Sequence, residues 1–221
     1  MSEATSRVVQ ALYEDIVLGV YPLGSRLVEE PLVQRYDVKR HVLREAFAQL
    51  EEMMFVVRVP NRGVLVHEPS PREIRELYEI RVLIESHAAA SIPLPAPKRV
   101  TQAMREIQTA YSAALKVKNF RSVLNLNNAF HRTLYSACEN ETLTAAIEAY
   151  AARTHLIAAM KYFDNQIMAQ TEAQHYDLIA AMEGYDRQLL ISRVVGHFNL
   201  NQVDRYDAMY QQRHELVQDA S

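Results

Sequence analysis

Apolar residues recur at helical spacing along most of the chain. Val8, Leu12 and Ile16 predict an amphipathic helix over 3–18 that ends at Gly19. Residues 20–26 contain Pro22 and Gly24 and read as a turn. A short helix over 29–36 follows, closed at Asp37. A third covers 39–53, with Leu43, Ala46, Phe47, Leu50 and Met53 on one face. Its other face carries Lys39, Arg40, His41 and Arg44. Then the period changes. Residues 55–59 are β-branched and aromatic, Pro60-Asn61-Arg62-Gly63 is a turn, and 64–67 are β-prone again, which predicts a hairpin. Three helices and a hairpin in this order describe a winged helix-turn-helix.

Pro69-Ser70-Pro71 marks a boundary between a winged helix-turn-helix domain over 1–68 and a second domain over 69–221. Pro71 suits the first turn of a helix over 71–90. Further helices are predicted near 98–117, 119–137, 141–162, 165–184 and 187–212, with Asn119 and Asn140 at N-cap positions. No proline follows Pro97, and only Gly184 and Gly196 break the remaining chain. A stretch so poor in breakers suits helices rather than strands and turns. The predicted fold class is mostly α: a winged helix-turn-helix with a small β-hairpin, then an all-α helical bundle.

Composition narrows the function classes. The 221 residues are 49% hydrophobic and 23% charged, a globular balance. Cys138 stands alone, so an internal disulfide is excluded and a reducing compartment is expected. The N-terminus has no basic stretch leading into an apolar core, and no run approaches the roughly 18 apolar residues of a membrane span. The expected location is the cytoplasm. A net charge of −3 does not announce a nucleic-acid partner. The distribution does: Lys39, Arg40, His41 and Arg44 crowd one helix start, and Arg62 and Gly63 sit at the hairpin tip. Arginine at the start of a helix in the major groove bonds guanine O6 and N7, and the tip reaches phosphate or the minor groove. The competing reading is a solvated basic face on a protein-binding module.

The bundle carries a second constellation. His131 shares a stripe with Val123, Asn127, Phe130 and Leu134; His175 lies with Met168, Leu178, Ile179 and Met182; His197 lies with Leu190 and Val194. Three helices thus each aim one imidazole inward. A lone core histidine is an ordinary hydrogen-bonding residue, whereas three on facing stripes suit a shared divalent transition metal, with Asn127 one turn before His131 as fourth ligand. Arg81 lies on the stripe of Leu77 and Ile84, and a buried guanidinium needs an anion: a protein carboxylate or that of a ligand.

Residues 24–52, GSRLVEEPLVQRYDVKRHVLREAFAQLEE, with the tip Asn61-Arg62-Gly63, resemble the N-terminal domain of the GntR family of bacterial transcription regulators. PREIRELYEIRVLIE (71–85), NNAFHRTLYSACENETL (127–143) and HYDLIAAMEGYD (175–186) resemble the all-helical FCD domain of its FadR subfamily. The resemblance implies DNA contact by Arg40 and Arg44, with Lys39, His41 and Val42 departing from the usual Ser, Thr and Pro. It implies metal ligands at His131, His175 and His197, with Asn127 in place of the usual Asp. A small organic acid is implied to bind against the ion, for which imidazole chemistry suits zinc, nickel, copper or iron, with zinc expected and nickel the alternative. Arg81, and more weakly Arg153, are the implied carboxylate contacts. The resulting expectation is a homodimeric, ligand-responsive repressor of operator DNA. The alternative is a helical-bundle metalloenzyme using a three-histidine centre, for which no general base is apparent; a protein-binding module with a structural metal is a third class.

Overall fold

Helix α1 (Glu3–Val17) starts where the Ser2 hydroxyl accepts a bond from Thr5 N, and buries Val8, Leu12, Tyr13 and Ile16. The computed structural model describes residues 2–157, 164–198 and 201–218. They form two units, Met1–Pro69 with Ala152–Ala159, and Ser70–Ala151 with Met160–Ser221.

In the first unit, β1 (Arg26–Leu27) precedes α2 (Glu29–Tyr36) and α3 (Arg40–Glu52). Asp37 ends α2 in the left-handed region, φ 49°, a conformation Asp tolerates. Both α1 and α2 pack on α3, which buries Val42, Leu43, Ala46, Phe47 and Leu50. Two polar ties brace these contacts. Thr5 Oγ1 donates to Glu45 Oε2 at 2.8 Å, and the buried Asp15 carboxylate accepts from Arg35 and from the Tyr36 hydroxyl, each at 2.8 Å. Burial, then that bond to Asp15, pushes the Tyr36 phenol well above its usual range.

The hairpin is β2 (Val56–Val59) and β3 (Gly63–Val66), antiparallel, with Val59 opposite Gly63. Pro60 leads and Asn61 follows at φ 64°, as a type II turn requires, and Arg62 N bonds Val59 O at 3.0 Å. Strand β1 adds to the free edge of β3, giving the order β1-β3-β2. This third strand has no counterpart in the sequence reading, because two residues show no period. Residues 152–157 join this unit as well: Leu156 and Ile157 are buried, and the Tyr13 hydroxyl lies 2.7 Å from His155 Nδ1.

The second unit contains α4 (Pro71–Ser91), α5 (Lys98–Lys116), α6 (Phe120–Ser136), most of α7 (Glu141–Thr154), α8 (Asn165–Glu183), α9 (Arg187–Gly196) and α10 (Asn201–Gln218). Ser70 caps α4, Asn119 caps α6, and Asn140 Oδ1 accepts from Leu143 N at 3.0 Å at the start of α7. Helix α5 packs on α6 and α8, α8 on α9, and α9 on α4. Their facing stripes make one core from Ile92, Met104, Phe130, Leu134, Leu178, Ile179, Met182, Leu190 and Val194. A single helix over 187–212 is not observed. Helix α9 ends at Gly196, a residue that lowers helix stability, with His197 as its C-cap, and α10 starts at Asn201. The predicted helix over 141–162 ends at Thr154; residues 158–163 and 199–200 lie outside the described part.

Candidate functional site

Helix α6 carries His131, α8 carries His175, and His197 closes α9. The packing of these helices brings the three imidazoles together, so that one ligand nitrogen of each lies within 4.8 Å of the others. His131 Nε2 and His197 Nε2 are 3.1 Å apart. Nitrogens at that separation hold either one shared proton or one shared ion, since two imidazoles on a tetrahedral zinc ion, with bonds of about 2.0–2.1 Å, stand roughly 3.3 Å apart. No described Asp, Glu or Cys joins the cluster.

The rings are fixed by their neighbours. His175 is fully buried and stacks on Phe130 with ring centroids 4.1 Å apart, while the Tyr111 ring meets it edge-on at 5.1 Å. Burial, and then the nearby Glu172 charge, raise the Tyr111 phenol, which stays protonated beside the cluster. His175 Nδ1 lies 2.7 Å from Gln108 Oε1, and His197 Nδ1 lies 3.1 Å from Gln174 Oε1. A carboxamide oxygen accepts only, so both Nδ1 atoms donate and each Nε2 keeps its lone pair. Asn127 is buried on α6 one turn before His131. The donor set, three imidazoles with a neutral amide beside them, suits a borderline divalent ion such as zinc or nickel.

The sequence reading missed both glutamines. Gln108 stands on the buried stripe of Met104 and Tyr111 in α5, and a polar residue in such a stripe is the signal that marks it.

Of the two anions considered for Arg81, the structure supplies the protein's own. Arg81 Nε donates to Glu85 Oε1 at 2.7 Å, one turn along α4. Glu85 Oε2 also accepts from the buried Tyr135 hydroxyl. The guanidinium carbon lies 4.6 Å from the Phe198 ring and 5.5 Å from Tyr78. Burial pulls the Arg81 pKa down, but the Glu85 charge and hydrogen bond, together with the Tyr78 and Tyr135 phenols, outweigh it and hold the group above its ordinary value. Burial and the same carboxylate push the Tyr135 phenol well up. Arg153 lies in the last turn of α7, in the segment grouped with the first unit.

In the first unit Lys39, Arg40, His41, Arg44, Arg62 and Gly63 are all exposed. Lys39 is the N-cap of α3 and makes no side-chain bond to its first turn, so those N–H groups remain open to phosphate. The acidic start of α2 ties down the arginines that follow. Glu29 accepts from Arg44 Nε and Nη2 at 2.9 and 3.1 Å, and Glu30 pairs with Arg40. Arg44 and Arg40 remain 62% and 64% exposed, so these pairs are solvent-screened and open to exchange. Arg26, Arg40, Arg58, Glu29, Glu30 and Pro60 line a groove of about 630 Å³ beside the hairpin.

Residues 4–66 match the bacterial regulatory proteins of the gntR family, and residues 76–200 match the FCD domain. An HTH-type transcriptional regulator in the TAR-I ttuE-ttuC' intergenic region of Agrobacterium vitis is 29% identical over 132 residues, 58% of this chain and 77% of that protein. The HTH-type transcriptional repressor RspR of Escherichia coli (strain K12) is 24% identical over 156 residues, 71% of this chain and 68% of that protein. The solved structure of E. coli McbR/YncC superposes with a TM-score of 0.77 at 19% identity, covering 96% of this chain and 100% of that one, a likeness of fold. The sheet-edged helix-turn-helix and the helical bundle are the two parts of one known architecture, and these matches are to transcription regulators rather than to a metalloenzyme. The chain belongs to the GntR family of bacterial regulatory proteins and is a transcription regulator with an FCD domain.

Proposed function

We propose that this regulator is a cytoplasmic, homodimeric repressor of the FadR subfamily, controlled by a small carboxylate bound at a metal site. The observation that carries this reading is the cluster of His131, His175 and His197, with two of the rings locked by amide acceptors. With Asn127 they would hold a divalent ion, zinc or nickel. Such an ion supplies a Lewis-acidic centre for a carboxylate oxygen. Arg81 is the proposed second contact for the ligand, which must share it with Glu85. Arg153 is the weaker second candidate for a contact to the ligand's carboxylate.

On the DNA side, Lys39, Arg40, His41 and Arg44 read the major groove from the start of α3, while Arg62 and Gly63 present the wing. Two copies related by a two-fold axis would read the halves of a palindromic operator. The repressing sign is supported by the relative RspR, whose name carries it. The carboxylate controls DNA affinity only through different contacts in two conformational states.

The test is an electrophoretic shift on DNA flanking the regulator's own gene, with and without zinc and a panel of small carboxylic acids. A sequence-selective shift altered by one acid is the expected result. Binding of unrelated DNA with equal strength, whatever the acid, overturns the reading.

A further inference from the structure

Two histidines of the cluster share one device. His175 Nδ1 meets Gln108 Oε1 at 2.7 Å, and His197 Nδ1 meets Gln174 Oε1 at 3.1 Å. The glutamines come from different helices, α5 and α8, and lie 67 and 23 positions from their partners. The far end of each amide is engaged too. Gln108 Nε2 donates to Ser112 Oγ at 3.4 Å, and Gln174 Nε2 donates to the Gly196 carbonyl at 3.3 Å. Flipping Gln174 would set its oxygen against the Gly196 carbonyl, so that amide is oriented from its far end, whereas the Ser112 hydroxyl can donate or accept and suits Gln108 either way. Gln108 is fully buried, where an amide must find its partners within the fold.

We propose that Gln108 and Gln174 are positioning residues of the ion site. By accepting the Nδ1 protons they fix His175 and His197 in the tautomer that offers Nε2 to a divalent cation. A histidine ligand needs such a support for its second nitrogen, and the support sets ring angle as well as tautomer. Carboxamides do this without charge. With no described carboxylate in the cluster, an ion there keeps its double charge and favours an anionic ligand from solution.

This inference rests on the ion-site reading above, and the experiment separates the two. Zn²⁺ affinity is measured by chelator competition on the full-length wild type and on Gln108→Leu, Gln174→Leu and Gln174→Glu. The ¹⁵N-imidazole spectra of the metal-free proteins are recorded at alkaline pH. Each Leu variant should weaken Zn²⁺ binding about 10- to 100-fold, as loss of an outer partner typically does. Gln174→Glu keeps the acceptor and should bind at least as tightly as wild type. The metal-free wild type should show Nδ1–H imidazoles at positions 175 and 197, and Gln174→Leu should lose that preference at 197 while its thermal unfolding stays unchanged. Wild-type affinity in both Leu variants, or an Nε2–H tautomer in the wild type, overturns the positioning role. If the wild type binds no Zn²⁺, the ion-site reading falls and takes this one with it.

Discussion

The first unit holds the arginines proposed to meet DNA outside and ties them with carboxylates; the second holds the proposed ion ligands wholly or partly inside and ties two of them with amides. Arg40 and Arg44 are exposed and lean on Glu30 and Glu29, whereas His175 is fully buried and rests on Gln108. Exposed ion pairs are weak and salt-screened, so phosphate or guanine displaces them at small cost. The buried bond between His175 and Gln108 is strong in its low-dielectric setting, so that imidazole is ordered before any ligand arrives. On the proposed function, a surface that meets DNA keeps its cations exchangeable, and a site that selects one small ion keeps its donors in place.

The largest expected effect breaks the buried side of this comparison. Glu85→Leu removes a carboxylate partner of Arg81 and the acceptor of Tyr135. Breaking this buried ion pair should cost about 3–5 kcal/mol of the second unit's stability in chemical denaturation. A change close to zero would mean that Arg81 reaches solvent or another anion. Next comes the ion. Zn²⁺ at a hundredfold excess over its dissociation constant should stabilise the wild type by about 2.7 kcal/mol. His175→Ala should abolish that gain, and equal melting shifts in both proteins would remove His175 from the site.

On the exposed side, Arg44→Ala should weaken specific operator binding roughly ten- to hundredfold while metal uptake stays unchanged. An unaltered operator affinity would take Arg44 out of the interface. The smallest effect is expected from Glu29→Gln, which releases Arg44 from its bidentate acceptor. DNA binding should tighten by a few-fold at low salt, with no change in melting temperature. The hydrogen bond from Arg44 holds the Glu29 carboxyl below its usual range. A depressed folded-state pKa gives a contribution present above the unfolded value and lost as pH falls through the folded one. The pair therefore persists from neutral pH through mild acid, and the wild type and Glu29→Gln should converge only in strong acid. Convergence already near neutral pH would contradict this pairing.

Much of this architecture was legible before the structure. Helical spacing located α1 to α6 and α8, the switch to β-branched residues located the hairpin, and three apolar stripes each exposed one histidine. What escaped notice has a common cause. Strand β1 is two residues long and exists because β3 has a free edge beside it. The break between α9 and α10 is invisible because apolar spacing continues past Gly196 to His197. Glu85, Gln108, Gln174, Glu29 and Glu30 are ordinary polar residues on amphipathic helices, and no local pattern shows which partner each will meet.

By itself the sequence determined the local elements, the change from a breaker-rich first part to a helical second part, and the residue types able to contact DNA or an ion. Periodicity and turn chemistry act within a few residues, so they can be read along the chain. Only the tertiary structure decided which groups come together: His131 with His197 across 66 positions, His175 with Gln108, and Arg81 with Glu85 of its own helix. Those choices depend on which helix faces pack against each other, and packing is a property of the whole core.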